Sequence, residues 1–335
     1  MDMQAIAIHQ LGGSEVLQLT RLPRPHPGPG EVLVRVHCAG VNPADWKCRQ
    51  GYLAAFLQYQ FPFVLGFDLA GTVEACGPGV TGWAPGTRVF SQSDVGAGHW
   101  GSYAEYTCVR HDSVVAMPAG LDFAAAAATP TPALAAWTGL VDDGGLQAGQ
   151  KILVHGGAGA VGMFAIQIAR TLGAEVAATC RGDNLAYVQS LGCQRAIDYQ
   201  REDVAEAVRA WAPQGVDLVL DCVGCGSLPQ GLDLLRPGGI LVAIMTLVQG
   251  DAGPDHAAAA ARGLRTALSH SKMPSGATLQ RIATLLAQGQ LQPPRLEVLP
   301  LAEVATAHTQ LQSGQARRKL VLQVAPVHAD QAVPA

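Results

Sequence analysis

Three glycines in the stretch KILVHGGAGAVGMFAIQIAR, Gly157, Gly159 and Gly162, keep a GxGxxG spacing between an apolar run and an amphipathic one. The first glycine permits a tight turn, the second lets the main chain approach a pyrophosphate, and the third lets the following helix pack closely on the strand. The amides of Ala160, Val161 and Gly162, at the head of that helix, offer N–H donors and the positive end of a dipole to phosphate oxygens. This spacing predicts dinucleotide binding. The flanking strand, the helix and a second strand, EVAATC, follow in the required order, which makes the pattern more specific than the glycines alone.

About 20 residues past the first glycine, a nicotinamide cofactor without a 2′-phosphate usually meets an Asp or Glu. This chain reads AATCRGDN there. Arg181 can pair with a 2′-phosphate that an acid would repel, which points to NADPH. Asp183 keeps NAD open, and a solvated surface arginine is the plain alternative for Arg181. His155, in the glycine turn, reads as a hydrogen-bonded structural residue rather than a general base. The stretch VLGFDLAG sets Asp68 behind Phe67 in an apolar segment, where an acid, a metal ligand or a structural carboxylate are all open readings. Cys222 and Cys225 form CVGC, but no second CxxC completes a four-thiolate zinc site. They read as small apolar residues.

These residues need a scaffold, and 335 residues suffice for two domains. The first third alternates short β-like runs with Gly and Pro: EVLVRVHCAGV (31–41), FVLGFDLAGTVEAC (63–76), TRVFS (87–91) and SYAEYTCV (102–109). That predicts an antiparallel β module. From about Ala124 the runs KILVHG, EVAATC, RAIDY, LVLDCV and GILVAI read as parallel strands buried on both faces. Between them VGMFAIQIARTLG, NLAYVQSLG and EDVAEAVRAWAP have helical periodicity, so the whole is an α/β, doubly wound sheet. Two further helices and the strand KLVLQV close the chain and are expected to return to the first module.

A formal net charge of −4 with 22 scattered Lys and Arg residues leaves no dense basic patch, so nucleic acid is not an expected partner. The start, MDMQAIAIHQ, lacks the pattern of a signal peptide, and no apolar run approaches the roughly 20 residues that cross a bilayer. Eight scattered cysteines suggest reduced thiols. The expectation is a soluble, cytoplasmic protein without membrane insertion.

The β module, the dinucleotide domain and the returning strand together resemble the medium-chain dehydrogenase/reductase superfamily over nearly the whole chain. The resemblance implies a GroES-like antiparallel β catalytic domain at 1–124, a Rossmann NADPH-binding domain at 125–265 and a C-terminal segment, 266–335, returning to the catalytic domain. Zinc-dependent members carry a Cys after the second strand, a GHE stretch with a His ligand, and a loop of four cysteines. This chain has GVNPAD, GFD and SQSDVGAGHWG there, with Val41 or Asn42 near the Cys place and Phe67 in the His place. No metal site is expected.

The segments VNPADWK (41–47), GFDLAGTV, HGGAGAVG (155–162), SLGCQRAIDY (190–199) and AHTQLQSGQARRKLVL (307–322) resemble the zinc-independent quinone oxidoreductase branch, with its enone oxidoreductases and chloroplast-envelope homologues. That implies NADPH as cofactor, a quinone or α,β-unsaturated carbonyl compound as small-molecule substrate, and a homodimer. It implies Lys47 beside cofactor and substrate, and Arg181, Gly182, Asp183 and Asn184 around the 2′-phosphate, with Tyr199 packed by it. Thr131 opens the stretch to Trp137 that leads to the nicotinamide, and Ile244 and Lys319 are further cofactor contacts. Arg181-Gly182-Asp183 stands where relatives often have Ser-Thr-Lys or Ser-Thr-Arg, Ala135-Ala136-Trp137 replaces Thr-Ala-Trp, and Arg318 replaces a Gly.

Hydride transfer to an enone leaves negative charge on the carbonyl oxygen. Asn42, Lys47, Tyr52 or the cofactor ribose is the expected donor to it, with solvent or Tyr52 giving the proton. The plain alternatives are a turn residue for Asn42, a surface lysine for Lys47 and rim packing for Tyr52. An enoyl thioester reductase, or an NADPH-binding protein without activity, remains open as a reading of the whole chain.

Overall fold

The computed structural model describes residues 1–248, 250–273 and 275–325. The expected C-terminal segment therefore includes residues, 326–335, that lie outside the described ones. The chain divides into two compact units: Met1–Thr131 with the chain from Met273 onward, and Pro132–Lys272.

The first unit begins with β1 (Asp2–Ile8), β2 (Gln18–Pro23) and β3 (Glu31–Gly40), followed by helix α1 (Pro43–Arg49). Strands β4 (Phe63–Val64), β5 (Asp68–Cys76), β6 (Arg88–Gln92), β7 (Tyr106–Arg110) and β8 (Val115–Ala116) come next, then helix α2 (Phe123–Ala127). Helix α3 (Pro130–Trp137) carries the chain out of this unit. The second unit runs β9 (Lys151–His155), α4 (Ala160–Thr171), β10 (Glu175–Cys180), α5 (Leu185–Ser190), β11 (Arg195–Asp198), α6 (Val204–Trp211), β12 (Val216–Asp221), β13 (Leu235–Ile244), α7 (His256–Ala261) and β14 (Arg265–Ser269). The chain then returns to the first unit as α8 (Gly276–Ala287), β15 (Leu296–Pro300), α9 (Val304–Gln312) and β16 (Lys319–Gln323).

In the first unit β3 is the spine. It pairs antiparallel with β5 along one edge, and its other edge is shared between β7 at Glu31–Arg35 and β16 at Cys38–Gly40. Val32, Val34 and Val36 of β3 pack with Leu69, Val73, Val89 and Val109 into the core, so β-branched residues meet across neighbouring strands. The closing strand does pair with this module, at Val321↔Gly40, and α9 lies near α1.

Three features differ from the sequence reading. The run 63–76 is two strands, because the chain turns at Gly66, whose φ of +108° breaks extended pairing, and β4 joins a small separate sheet with β1 and β2. Residues 102–105, expected in a strand, precede β7. Strands β1, β2, β8, β14 and β15 lie outside the runs read as strands; β2, β14 and β15 are half-exposed edge strands without a continuous apolar run.

In the second unit the order is β11-β10-β9-β12-β13-β14, with every neighbouring pair parallel. This is the doubly wound order, and its crossover point lies between β9 and β12. The strands are buried on both faces: Leu153, Ala177, Ile197, Val219 and Leu241 form one cluster with Val208 of α6. Among the described residues no helix is long and apolar enough to cross a membrane.

Candidate functional site

The glycine turn follows β9, at the crossover point, where ligands of open α/β sheets bind. Gly156, with φ +83°, makes the tight turn. This corrects the role expected of Gly157, which is constrained by packing: a Cβ there would stand 2.7 Å from the Ala178 Cβ. Gly162 is pinned in the same way, 2.3 Å from the Gly156 carbonyl oxygen. Gly159 differs, since a Cβ there would meet only the Gly156 oxygen, at 3.4 Å, and the space beside it is open. Gly159 is the N-cap of α4 and contributes no side chain, so the first amides, Ala160, Val161 and Gly162, remain for an outside acceptor. The turn therefore fits a pyrophosphate.

His155 ends β9 opposite Asp221 of β12. Its Nδ1 is 2.8 Å from the Thr179 hydroxyl, which also accepts the Gly156 N–H, and its Nε2 is 3.1 Å from the Ser227 hydroxyl. Burial holds its pKa below the ordinary histidine value, against the pull of Asp221. His155 thus ties the turn to β10 and to the loop after β12.

At the end of β10, Arg181 is exposed and gives its Nε–H to the Tyr199 hydroxyl at 3.1 Å. Among the described residues this leaves the terminal nitrogens of the guanidinium for a ligand. Gly182 keeps the turn close to Asp198, whose Oδ2 would stand 2.6 Å from a Cβ at 182. The Asn184 N–H closes the turn onto the Arg181 carbonyl at 2.8 Å. Ile244, half-buried, ends β13 beside Gly139.

The first unit holds a different kind of site, made of buried polar side chains. Asn42, the residue before α1, is 3% exposed and gives its backbone N–H to Asp45 Oδ2 at 2.6 Å. That is the return arm of a capping box, spaced N-x-x-D. The Asn42 Nδ2 donates to Asp68 Oδ2 at 2.8 Å, and its Oδ1 accepts from Lys319 Nζ at 2.5 Å. Lys319 also donates to the Val41 carbonyl at 2.9 Å. Asp68 Oδ1 takes both the N–H and the hydroxyl of Thr131, at 2.9 and 2.6 Å, and Gln92 donates to the same hydroxyl at 2.8 Å. Burial raises the pKa of Asp45 and Asp68 and lowers that of Lys319. The donors around both carboxylates and the charge of Lys319 oppose the first effect.

Asn42, Thr131 and Lys319 are thus brought together around Asp68. Lys47 lies on α1, nearly buried, with Nζ 5.3 Å from the Trp46 ring centroid. Tyr52 is 41% exposed and packs edge-on against Trp46. Sequence reasoning missed Asp45 and Gln92. The N-x-x-D spacing ahead of a helix could have exposed Asp45; nothing local marks Gln92. Among the described residues, no group of three or more His, Cys, Asp or Glu side chains could hold a metal ion.

Two family models match: "Alcohol dehydrogenase GroES-like domain" over residues 28–119 and "Zinc-binding dehydrogenase" over 191–322. The chain is 31% identical to the mitochondrial NAD(P)H oxidoreductase RTN4IP1 of Danio rerio, across 96% of this chain and 91% of that protein. It is 30% identical to the quinone oxidoreductase of Sus scrofa, across 96% and 97%. Among solved structures, the quinone oxidoreductase from Coxiella burnetii superposes with a TM-score of 0.83 at 31% identity, covering 97% of this chain and all of that one.

Proposed function

Because the chain belongs to the medium-chain dehydrogenase/reductase superfamily, in its quinone oxidoreductase branch, we propose that it is a zinc-independent NADPH reductase of quinones or α,β-unsaturated carbonyl compounds. The relatives make it an NAD(P)H-dependent oxidoreductase. For the finer reading, one observation carries most weight: how the carboxylates beside the place of the zinc-binding His are occupied. Phe67 offers an aromatic ring that cannot ligate zinc. Its N–H goes to Asp45, at 3.1 Å, and Asp68 spends its oxygens on Asn42 and Thr131.

Without a Lewis acid to polarise an alcohol, oxidation is the harder direction and reduction of an electron-poor acceptor the easier one. When bound, the cofactor supplies hydride at the nicotinamide C4. The chain binds and orients: the amides of Ala160, Val161 and Gly162 hold the pyrophosphate, and Arg181 with Tyr199 holds the 2′-phosphate. Negative charge then develops on the acceptor oxygen. Asn42, Lys47 and Tyr52 are the donors proposed for it. Tyr52, the exposed one, is suited to pass a proton from solvent.

The direct experiment mixes the purified protein with NADPH and 9,10-phenanthrenequinone or a short enone and follows loss of the reduced-nicotinamide absorbance. Acceptor-dependent oxidation is expected. Tight NADPH binding with no turnover on either acceptor would replace this reading with that of a binding protein. The free cysteines, five of the eight buried, suit a reducing compartment such as the cytoplasm. β14, paired on one edge only, offers a strand through which two copies could join their cofactor sheets as a homodimer.

A further inference from the structure

The buried polar cluster of the first unit extends well beyond Asp68, and its proton positions follow from donor and acceptor chemistry. Arginine has five N–H donors and no acceptor. Arg49 is fully buried, with Nη1 3.1 Å from His308 Nδ1, Nη2 on Gln312 Oε1 at 3.1 Å and Nε on the Gly12 carbonyl at 3.1 Å. His308 Nδ1 must therefore accept, which makes the ring neutral with its proton on Nε2. That nitrogen lies 3.2 Å from the Tyr103 hydroxyl, so the ring donates and the tyrosine oxygen accepts. The remaining proton of Tyr103 is left for Asp45, the carboxylate beside it whose charge, after burial, pushes the Tyr103 pKa up. Asp45 also receives the N–H groups of Asn42 and Phe67. Burial together with the Arg49 charge pushes the His308 pKa down to about 3, in keeping with a neutral ring.

A second chain is fixed by the same logic. Lys319 has donors only, so the atom of Asn42 that faces it is the oxygen, and the amide nitrogen must face Asp68. Two cations and two carboxylates are buried, and neutral side chains stand between them: His308 and Tyr103 between Arg49 and Asp45, and Asn42 between Lys319 and Asp68. The two chains meet at Asn42, one at its backbone N–H and the other at its carboxamide.

We propose that this charge-balanced network is a positioning device for Asn42. Arg49, His308, Tyr103 and Asp45 set its backbone, and Lys319 and Asp68 set its amide plane. The amide NH₂ has a second proton beyond the one given to Asp68, and the network holds that N–H ready for an oxygen of the acceptor or of the cofactor. His308, Tyr103 and Arg49 are positioning residues in this scheme, acting on the reaction through Asn42. The inference rests on the reductase reading and deepens it.

The test compares His308→Leu with His308→Gln. A glutamine can still accept from Arg49 and donate to Tyr103, whereas leucine can do neither. His308→Leu should lower kcat about tenfold, below the hundredfold that a 1 Å misplacement can cost. The KM for NADPH should stay within about twofold, because uniform binding is untouched. His308→Gln should recover most of kcat. Equal loss in both variants, or a loss that tracks the melting temperature alone, overturns the proposal. If His308→Leu does not fold, Tyr103→Phe removes one hydroxyl from the same chain and should show the same fall in kcat; an unchanged kcat there overturns it.

A nitrogen-15 spectrum of the His308 ring in the full protein gives a readout independent of turnover. It should show the neutral Nε2–H form at pH 7 and still at pH 5, and an Nδ1–H or doubly protonated ring sinks the relay. If the unmodified protein turns over no acceptor but binds NADPH, the reductase reading falls alone. The ring spectrum then judges the device: the neutral Nε2–H form upholds it, and an Nδ1–H or doubly protonated ring overturns it.

Discussion

The two units meet the problem of holding a ligand in opposite ways. In the second unit the glycine turn, the proposed cofactor site, works by leaving things out: Gly159 has no side chain, α4 has no side-chain cap, and open space is what it offers a phosphate. In the first unit the site works by filling everything in. Asn42, Asp45, Asp68, Thr131 and Lys319 satisfy one another inside a buried cluster, with little left over. A site made of absences tolerates loss of polar partners but no added bulk. A site made of mutual satisfaction is sensitive to any single deletion, because each removal strands a buried charge or dipole.

The largest effect should come from breaking the filled site. Lys319→Met keeps the aliphatic stem but leaves Asp68 buried without a nearby cation, and should cost about 3–5 kcal/mol of unfolding free energy. Urea denaturation measures it. Adding Asp68→Asn to that variant should recover part of the loss, and the double-mutant cycle gives the coupling. A loss under about 1 kcal/mol, the range of exposed pairs, would mean that water reaches the cluster.

The open site predicts the reverse pattern. Gly159→Ala adds a methyl that the protein can accommodate, 3.4 Å from its nearest neighbour, so melting should change little. NADPH affinity, read by fluorescence titration, should fall about a hundredfold, equivalent to about 2.7 kcal/mol, because the methyl occupies pyrophosphate space. Gly162→Ala, by contrast, forces a Cβ to 2.3 Å from a carbonyl oxygen and should lower the melting temperature itself. If both variants lose affinity and stability in parallel, Gly159 belongs to the packing as well.

These differences explain what could be read from the sequence. The glycine turn is local: its parts lie within Gly156–Gly162, and the parallel strands around it are apolar runs whose burial on both faces leaves a plain signature. The filled site draws on α1, β5, β6, the loop before β7, α3, α9 and β16, so its members are separated by up to 277 positions, as between Asn42 and Lys319. Asp68 stood out as an acid in an apolar run, and Lys319 through family resemblance. Nothing in the local sequence tells that Tyr103 and His308 face each other, because that contact depends on how β16 and α9 return to β3 and α1. The missed edge strands share this cause: β14 and β15 are specified by the strand they pair with more than by their own residues.

Cofactor choice sharpens the comparison at a smaller scale. Arg181 is a surface residue of the open site, so Arg181→Ala should leave stability unchanged. It should weaken NADPH about tenfold while NADH changes less than about twofold, as a lost charge-assisted contact to the 2′-phosphate requires. Equal weakening of both cofactors would move Arg181 off the phosphate and return Asp183 to consideration.

The smallest expected effect separates His155 from His308, two of the three histidines buried among the described residues. Thr179 can both donate and accept, so His155 is free to choose either tautomer, whereas Arg49 leaves His308 none. His308 has a folded pKa of about 3 against 6.5 for the ordinary side chain. Between those values the unfolded chain binds a proton that the native one refuses, so this group's contribution to stability is intact above about pH 6.5 and declines as the pH falls. The slope approaches 1.4 kcal/mol per pH unit, roughly, for one proton. Asp45 and Asp68, whose pKa values are raised, pull the other way, since protonating them in acid favours the native state. They are present in both proteins when His308→Gln is compared with the parent, and cancel in the difference. Urea midpoints between pH 5.5 and 4.5 should therefore fall less steeply in His308→Gln, by about 1 kcal/mol over that unit. Identical slopes would mean that His308 takes up a proton in the folded protein, which would put an Nδ1–H against Arg49 and overturn the assigned tautomer.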